Sequence, residues 1–152
     1  MFKINRKIEY ALVALRHMSQ AYPGKLTSAK EICDTYRMPF DPTSRVLQIM
    51  AQHGILKAEQ GAYGGYQILR DLSKLDLLEI AEMIAGPIKI ANCFHDDYTH
   101  CELTPYCNVI GPMLNLNAKI SDLFKGISIR ELIESRNQLD RQIKQRYAGK
   151  HG

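Results

Sequence analysis

Apolar residues recur at three- and four-residue intervals along most of the chain, which predicts a mainly helical protein. Ile8, Ala11, Leu12, Leu15 and Met18 form the first such stripe, on a helix that Asn5 can cap and that runs to about residue 21. Pro23-Gly24 breaks it. Ser28 with Glu31 three positions on reads as a capping box for a short helix over residues 29–36, with Ala29, Ile32 and Cys33 inward. Met38-Pro39-Phe40 predicts a tight turn. Asp41-Pro42 then supplies a carboxylate cap and a proline where no donor is missed, opening a third helix to about His53. Val46, Leu47, Met50 and Ala51 take its inner side, and Gly54 stops it.

The period then changes. Residues 55–60 and 66–70 read as strands around the glycine-rich turn 61–65. Two short helices across a turn of about four residues fit a helix-turn-helix, but also any small three-helix domain. A hairpin directly after the second of them reads as a wing, with glycine at its tip for positive φ and close backbone approach. Further on, Asp76 with Glu79 reads as another capping box, opening a helix bearing Ile80, Ala81, Ile84 and Ala85, which Gly86-Pro87 ends. A short extended link, 88–91, leads into a polar loop. A helix over 109–125 follows, with Met113, Leu116, Ile120, Leu123 and Phe124 spaced for a seam and Pro112 acceptable only in its first turn. Ser128 with Glu131 caps a last helix bearing Ile129, Leu132, Ile133 and Leu139, and the basic tail from Gln142 is expected to fray.

Composition changes little in this picture. With 152 residues, 45% hydrophobic and 24% charged, the chain suits one globular domain, or a small domain with an appended element. No stretch approaches the roughly eighteen apolar residues of a membrane span, and no apolar segment follows the charged N-terminus, so a cytoplasmic protein is expected. The net charge of +4 is unevenly spread. Residues 1–70 hold ten Lys and Arg against five Asp and Glu, residues 71–111 two against seven, and residues 112–152 eight against four. A basic first half suits a polyanion such as nucleic acid, although a solvated surface would carry the same surplus.

The distinctive chemistry lies in the polar loop. Cys93, Cys101 and Cys107 fall within fifteen residues as C-x7-C-x5-C, with Pro105 among them. Three thiols on one loop can converge on a soft centre, zinc or iron–sulfur, with one ligand supplied from elsewhere. The remaining cysteine, Cys33, lies sixty residues before Cys93 and reads as a small buried apolar residue of the second helix. Zinc could be completed by His100, although zinc sites commonly use shorter gaps between cysteines. No Ser/His/Asp set or paired carboxylates point to hydrolysis, and the chain reads as a non-enzyme.

Three motifs together carry a family resemblance: Glu9-Tyr-Ala-Leu12, the wing Gly61-Ala-Tyr-Gly-Gly-Tyr66 and the cysteine triad. They resemble the IscR, NsrR and RirA group of bacterial transcription regulators over about residues 3–140, and the first cysteine gap looks closest to the RirA branch. The resemblance implies a homodimer on a palindromic DNA operator, formed through the long helix after the cysteine loop. It divides the chain into a winged helix-turn-helix domain over 1–72, a connecting helix and cluster loop over 73–108, and a dimerisation helix with tail over 109–152. It also implies that Cys93, Cys101 and Cys107 ligate an iron–sulfur cluster, 4Fe-4S favoured over 2Fe-2S. IscR-like members place a histidine three residues after the last cysteine, where this chain has Ile110. NsrR-like members use an aspartate on the other subunit's first helix, and the matching residue here is Glu9. His95 and His100 are rival ligands within the loop, and an ordinary exposed glutamate is the other reading of Glu9.

In such a fold the third helix enters the major groove, making Thr43, Ser44, Arg45 and Gln48 the exposed candidates for base contact. Ser28 and Lys30 would hold backbone phosphates. Gln60 replaces the wing arginine of IscR-like members, leaving Tyr63 at the tip as a substitute. The expected function is operator binding switched by a cluster that responds to iron, oxidant or nitric oxide. A cluster-free regulator using zinc or thiol oxidation is the alternative. An electron-transfer protein is a further one, though no flavin, nicotinamide or second-cluster motif accompanies the cysteines.

Overall fold

The computed structural model describes residues 3–94, 101–135 and 138–151. Helix α1, Arg6–Ser19, starts where the Asn5 side chain accepts the Lys7 amide at 2.9 Å and ends slightly before the expected point. Helix α2, Ala29–Tyr36, is capped by the Ser28 hydroxyl, which accepts the Glu31 amide at 3.1 Å. Helix α3, Phe40–Gln52, begins earlier than expected, and Asp41 is not its cap. Pro39 occupies the cap position at φ −66° and ψ 134°, and its carbonyl accepts the Thr43 amide at 3.4 Å. The first turn therefore closes ahead of Asp41, whose carboxylate sits beside the positive helix end, and Pro42 still needs no donor.

Strands β1, Leu56–Glu59, and β2, Gly65–Ile68, pair antiparallel with Leu56 opposite Ile68 and Glu59 opposite Gly65. The hairpin is also tied to the approach to α2. Thr27 donates its amide to the Tyr66 carbonyl at 2.9 Å, and Tyr66 donates to the Thr27 carbonyl at 2.8 Å. Two glycines make this possible. A Cβ on Gly64 would stand 2.2 Å from the Glu59 carbonyl oxygen, and one on Gly65 would stand 2.8 Å from that of Thr27.

Helix α4, Leu77–Ala85, is capped by Asp76, which accepts the Glu79 amide at 2.8 Å. The expected box is only half formed, because the Glu79 carboxylate turns instead to the Arg70 guanidinium. Helix α5, Ile110–Lys125, carries Pro112 as its third residue. Helix α6, Ile129–Glu134, is capped by Ser128 and docks through Ile129, which donates to the Leu75 carbonyl at 2.8 Å. The tail departs from expectation: Gln138–His151 forms a separate helix, α7, rather than a fraying extension of α6. Its residues are mostly good helix formers, and Lys144 pairs with Asp140 one turn back at 3.4 Å. The side chain of Leu139 lies outside the described residues.

One core unites the elements from α1 to α6. Leu15, Ile32, Leu47, Met50 and Ile55 of the winged unit pack with Leu72, Leu75, Ile80, Ile129 and Ile133, with α1 laid against α3, α4 and α6. At the edge of this core, Glu31 accepts from Lys25 Nζ at 2.6 Å and from His17 Nε2 at 3.0 Å, while His17 Nδ1 meets the Tyr36 hydroxyl at 2.9 Å. Lys25 first, and His17 second, hold the Glu31 carboxyl below its ordinary range. A depressed carboxyl contributes stability that is complete above its unfolded value and lost as pH falls through its folded one. Glu31→Gln should therefore lower stability to urea at neutral pH, and the gap to wild type should narrow once the pH drops below about 4.5. Urea unfolding at several pH values checks this. Among the described residues, no helix is long and apolar enough to cross a membrane.

Candidate nucleic-acid interface and cysteine loop

Helix α3 presents two faces. Arg45 and Gln48 are exposed and Ser44 is half-buried. Thr43 is a correction: expected to be exposed, it is fully buried, and its hydroxyl has no hydrogen-bond partner among the described residues. The reason is spacing. Thr43 lies three and four residues before Val46 and Leu47, on the stripe that fills the core. Direct base contact by its side chain is therefore ruled out. Phe40, which was read only as part of a turn, is the first residue of α3 and 54% exposed.

Around this helix stand the other expected contacts. The Ser28 hydroxyl is occupied in capping α2, and exposed Lys30 lies 2.5 Å from Asp34 Oδ2 on the same helix. Gln60 is exposed at the end of β1, and Tyr63 is 96% exposed at the wing tip. The wing is held in register with α3 because Ile55 donates to the Met50 carbonyl at 2.9 Å and accepts from Leu69 at 2.9 Å. Together with the Thr27–Tyr66 bridge, this gives helix pair and wing one rigid frame.

The cysteine loop is built differently. Cys93 lies in a single 3-10 turn, Asn92–Phe94, and Cys107 follows another, Thr104–Tyr106. Cys93, Cys101 and Cys107 are unpaired and half-buried, whereas Cys33 is buried with its thiol 3.8 Å from the Pro39 carbonyl. The donor set is chemically right for a soft centre: three free thiols within one short segment. It is not gathered within a single chain, because among the described residues no three His, Cys, Asp or Glu side chains stand together to hold a metal ion. Glu9 lies in the first turn of α1, where its carboxylate takes Arg6 at 2.9 Å. His95 and His100 lie outside the described residues.

Sequence reading also missed what brackets this loop. Ile90, three residues before Cys93, donates its amide to Asn117 Oδ1 of α5 at 3.1 Å. Beside this bond runs an apolar cleft of about 650 Å³ between the start of α1, the end of α4 and α5, lined by Ile4, Ile8, Ile88, Met113 and Leu116. Of the seam expected on α5, Phe124 is buried, but Leu116 is 46% and Leu123 62% exposed. Apolar surface thus stays uncovered along this helix within the single chain.

The NsrR regulator of Bacillus subtilis is 21% identical to this chain over 145 residues, covering 93% of this chain and 97% of that protein. NsrR of Shouchella clausii is 20% identical over 131 residues, or 86% and 88% of the two chains. Among solved structures, the cysteine regulator CymR of B. subtilis superposes with a TM-score of 0.67 at 19% identity, covering 90% of this chain and all of that one. IscR of T. potens gives 0.62 at 15% identity, covering 92% and 96%. These likenesses establish the winged fold. Residues 4–135 match the family model Rrf2, described as iron-dependent transcriptional regulator, and a helix-turn-helix with an anchored wing is the structural counterpart of that match. The chain belongs to the Rrf2 family of transcriptional regulators, DNA-binding proteins and not enzymes.

Proposed function

We propose that this regulator is a homodimer whose operator affinity is set by an iron–sulfur cluster held by Cys93, Cys101 and Cys107, the partner subunit's Glu9 giving the fourth donor. The observation that carries this reading is the set of three unpaired, half-buried thiols in the loop leading into α5. Such a cluster, when bound, supplies a centre that iron scarcity, oxidant or nitric oxide can remove. The RirA-like first gap favours 4Fe-4S. The chain's own residues do the coupling. With a cluster bound, the thiols would draw the loop together, while Ile90 and Asn117 fasten its start to α5 and Glu9 lies at the beginning of the helix that packs on α3. Uncovered Leu116 and Leu123 support pairing of α5 with its copy.

On DNA, Arg45 and Gln48 meet base edges, with Ser44 beside them. Ser28 and Lys30 lie near phosphates, and Gln60 and Tyr63 approach the neighbouring minor groove. Arg45→Ala should weaken operator binding by about 1–3 kcal/mol, roughly fivefold to 150-fold. Relaxed preference at one base pair would mark a guanine contact, and a salt slope smaller by about 1 would mark a phosphate contact.

A cluster-free thiol sensor of the same fold is the second reading, supported by the three loop thiols being free and half-buried, within reach of an oxidant. Titrating the operator with anaerobic protein before and after iron chelation separates the two. Affinity that changes on chelation under strict exclusion of oxidant supports the cluster. Affinity that changes only with added oxidant supports the thiol sensor.

A further inference from the structure

Phe40, Thr43, Leu47 and Met50 follow one helical stripe along α3, yet only the last three are buried. Phe40 is 54% exposed and belongs neither to the core nor to the apolar residues packed against it. Its position is nonetheless rigid. Met38 donates to the Cys33 carbonyl at 3.1 Å and packs on the core, Pro39 fixes the following turn, and Thr43 closes the helix onto the Pro39 carbonyl. An aromatic ring is thus held outward at the leading end of the recognition helix.

That end of such a helix meets base edges in the major groove. The apolar group displayed there is the C5-methyl of thymine. Exposed Asp41 follows Phe40 in the same turn, and its negative charge opposes close approach of a phosphate, so this tip suits base edges rather than backbone. The basic first half of the chain supplies the attraction to the duplex that Asp41 does not.

We propose that Phe40 is a specificity-determining residue that packs on a thymine methyl in each operator half-site, an inference resting on the DNA-binding reading above. The side chains expected at this face from sequence were all polar, and the ring adds an apolar reading they lack.

The test begins with a duplex selected from a random pool by the full wild-type chain. Each thymine is then replaced singly by deoxyuridine, which lacks only the methyl, and affinity is followed by fluorescence anisotropy. Wild type should lose about fourfold at one thymine per half-site, the transfer free energy of one methylene-sized group. Phe40→Ala should bind the thymine and uracil duplexes equally, and Phe40→Leu should retain part of the preference. Melting of Phe40→Ala should match wild type, since the ring lies outside the core. Wild type indifferent to every replacement, Phe40→Ala keeping the full penalty, or a melting temperature that falls with the ring's removal would each overturn the proposal. Failure of wild type to select any duplex would instead overturn the DNA-binding reading, and this inference with it.

Discussion

Cys101→Ala, purified without air from iron-replete cells, is expected to lose visible iron–sulfur absorption together with its iron and acid-labile sulfide. Cys101 is the middle thiol of the loop, between the two 3-10 turns that carry Cys93 and precede Cys107. Removing it leaves two thiols on the loop, too few for a site that already needs a donor from outside. Operator affinity of the variant should no longer depend on iron supply. Cys33→Ala is the informative control. That thiol is buried in α2 against the Pro39 carbonyl, remote in sequence from the loop, and its loss should leave colour and iron content intact. A Cys101→Ala protein that retained iron, sulfide and iron-dependent DNA binding would reject the assigned role.

Leu47→Ala should be strongly destabilising to the DNA-binding unit. Leu47 is fully buried on α3, the helix that packs against α1 and β1. Truncation removes burial and leaves a cavity that a rigid helix pair cannot fill, costing about 2–5 kcal/mol. For a chain of this length that is a fall of roughly 5–15 °C in melting temperature, measured at fixed protein concentration because dimerisation would shift it. The adjacent residue gives the contrast. Gln48 is exposed, so Gln48→Ala should change stability by less than about 0.5 kcal/mol while weakening operator binding. If both variants lost stability alike, the assignment of inner and outer faces of α3 would be wrong.

Those faces also show what could be read from sequence. Caps formed by a side chain on its own backbone, at Asn5, Ser28, Asp76 and Ser128, were legible because donor and acceptor are two or three residues apart. The same locality misled at Asp41. Its proline neighbour imitates a helix start, while Pro39 had already turned the chain into α3. Glu79 answered to Arg70, and Ile90 to Asn117, partners that spacing within one helix does not reveal. Thr43 was misplaced because a polar residue beside Arg45 invites a functional reading, although its spacing from Leu47 already put it inside. Helix α7 carries only a sparse apolar stripe, Leu139, Ile143 and Tyr147, amid basic and polar residues, so its tail reads as a fraying end rather than a separate helix.

The candidate cofactor site was legible as chemistry and not as geometry. Cysteine spacing names three candidate donors, but among the described residues they do not stand together with a fourth group to hold a metal, and such gathering is not a local pattern. Phe40 escaped for the opposite reason. An apolar residue before a helix is ordinarily assigned to the core, and only its exposure at the end of α3 shows that the core stops short of it.

The most direct measurement is iron and acid-labile sulfide per chain, with a visible spectrum, on protein prepared under strict anaerobiosis from iron-replete cells. A coloured protein containing both in comparable amounts is the expected result. A colourless preparation lacking both would contradict the claim that the three loop thiols hold an iron–sulfur centre.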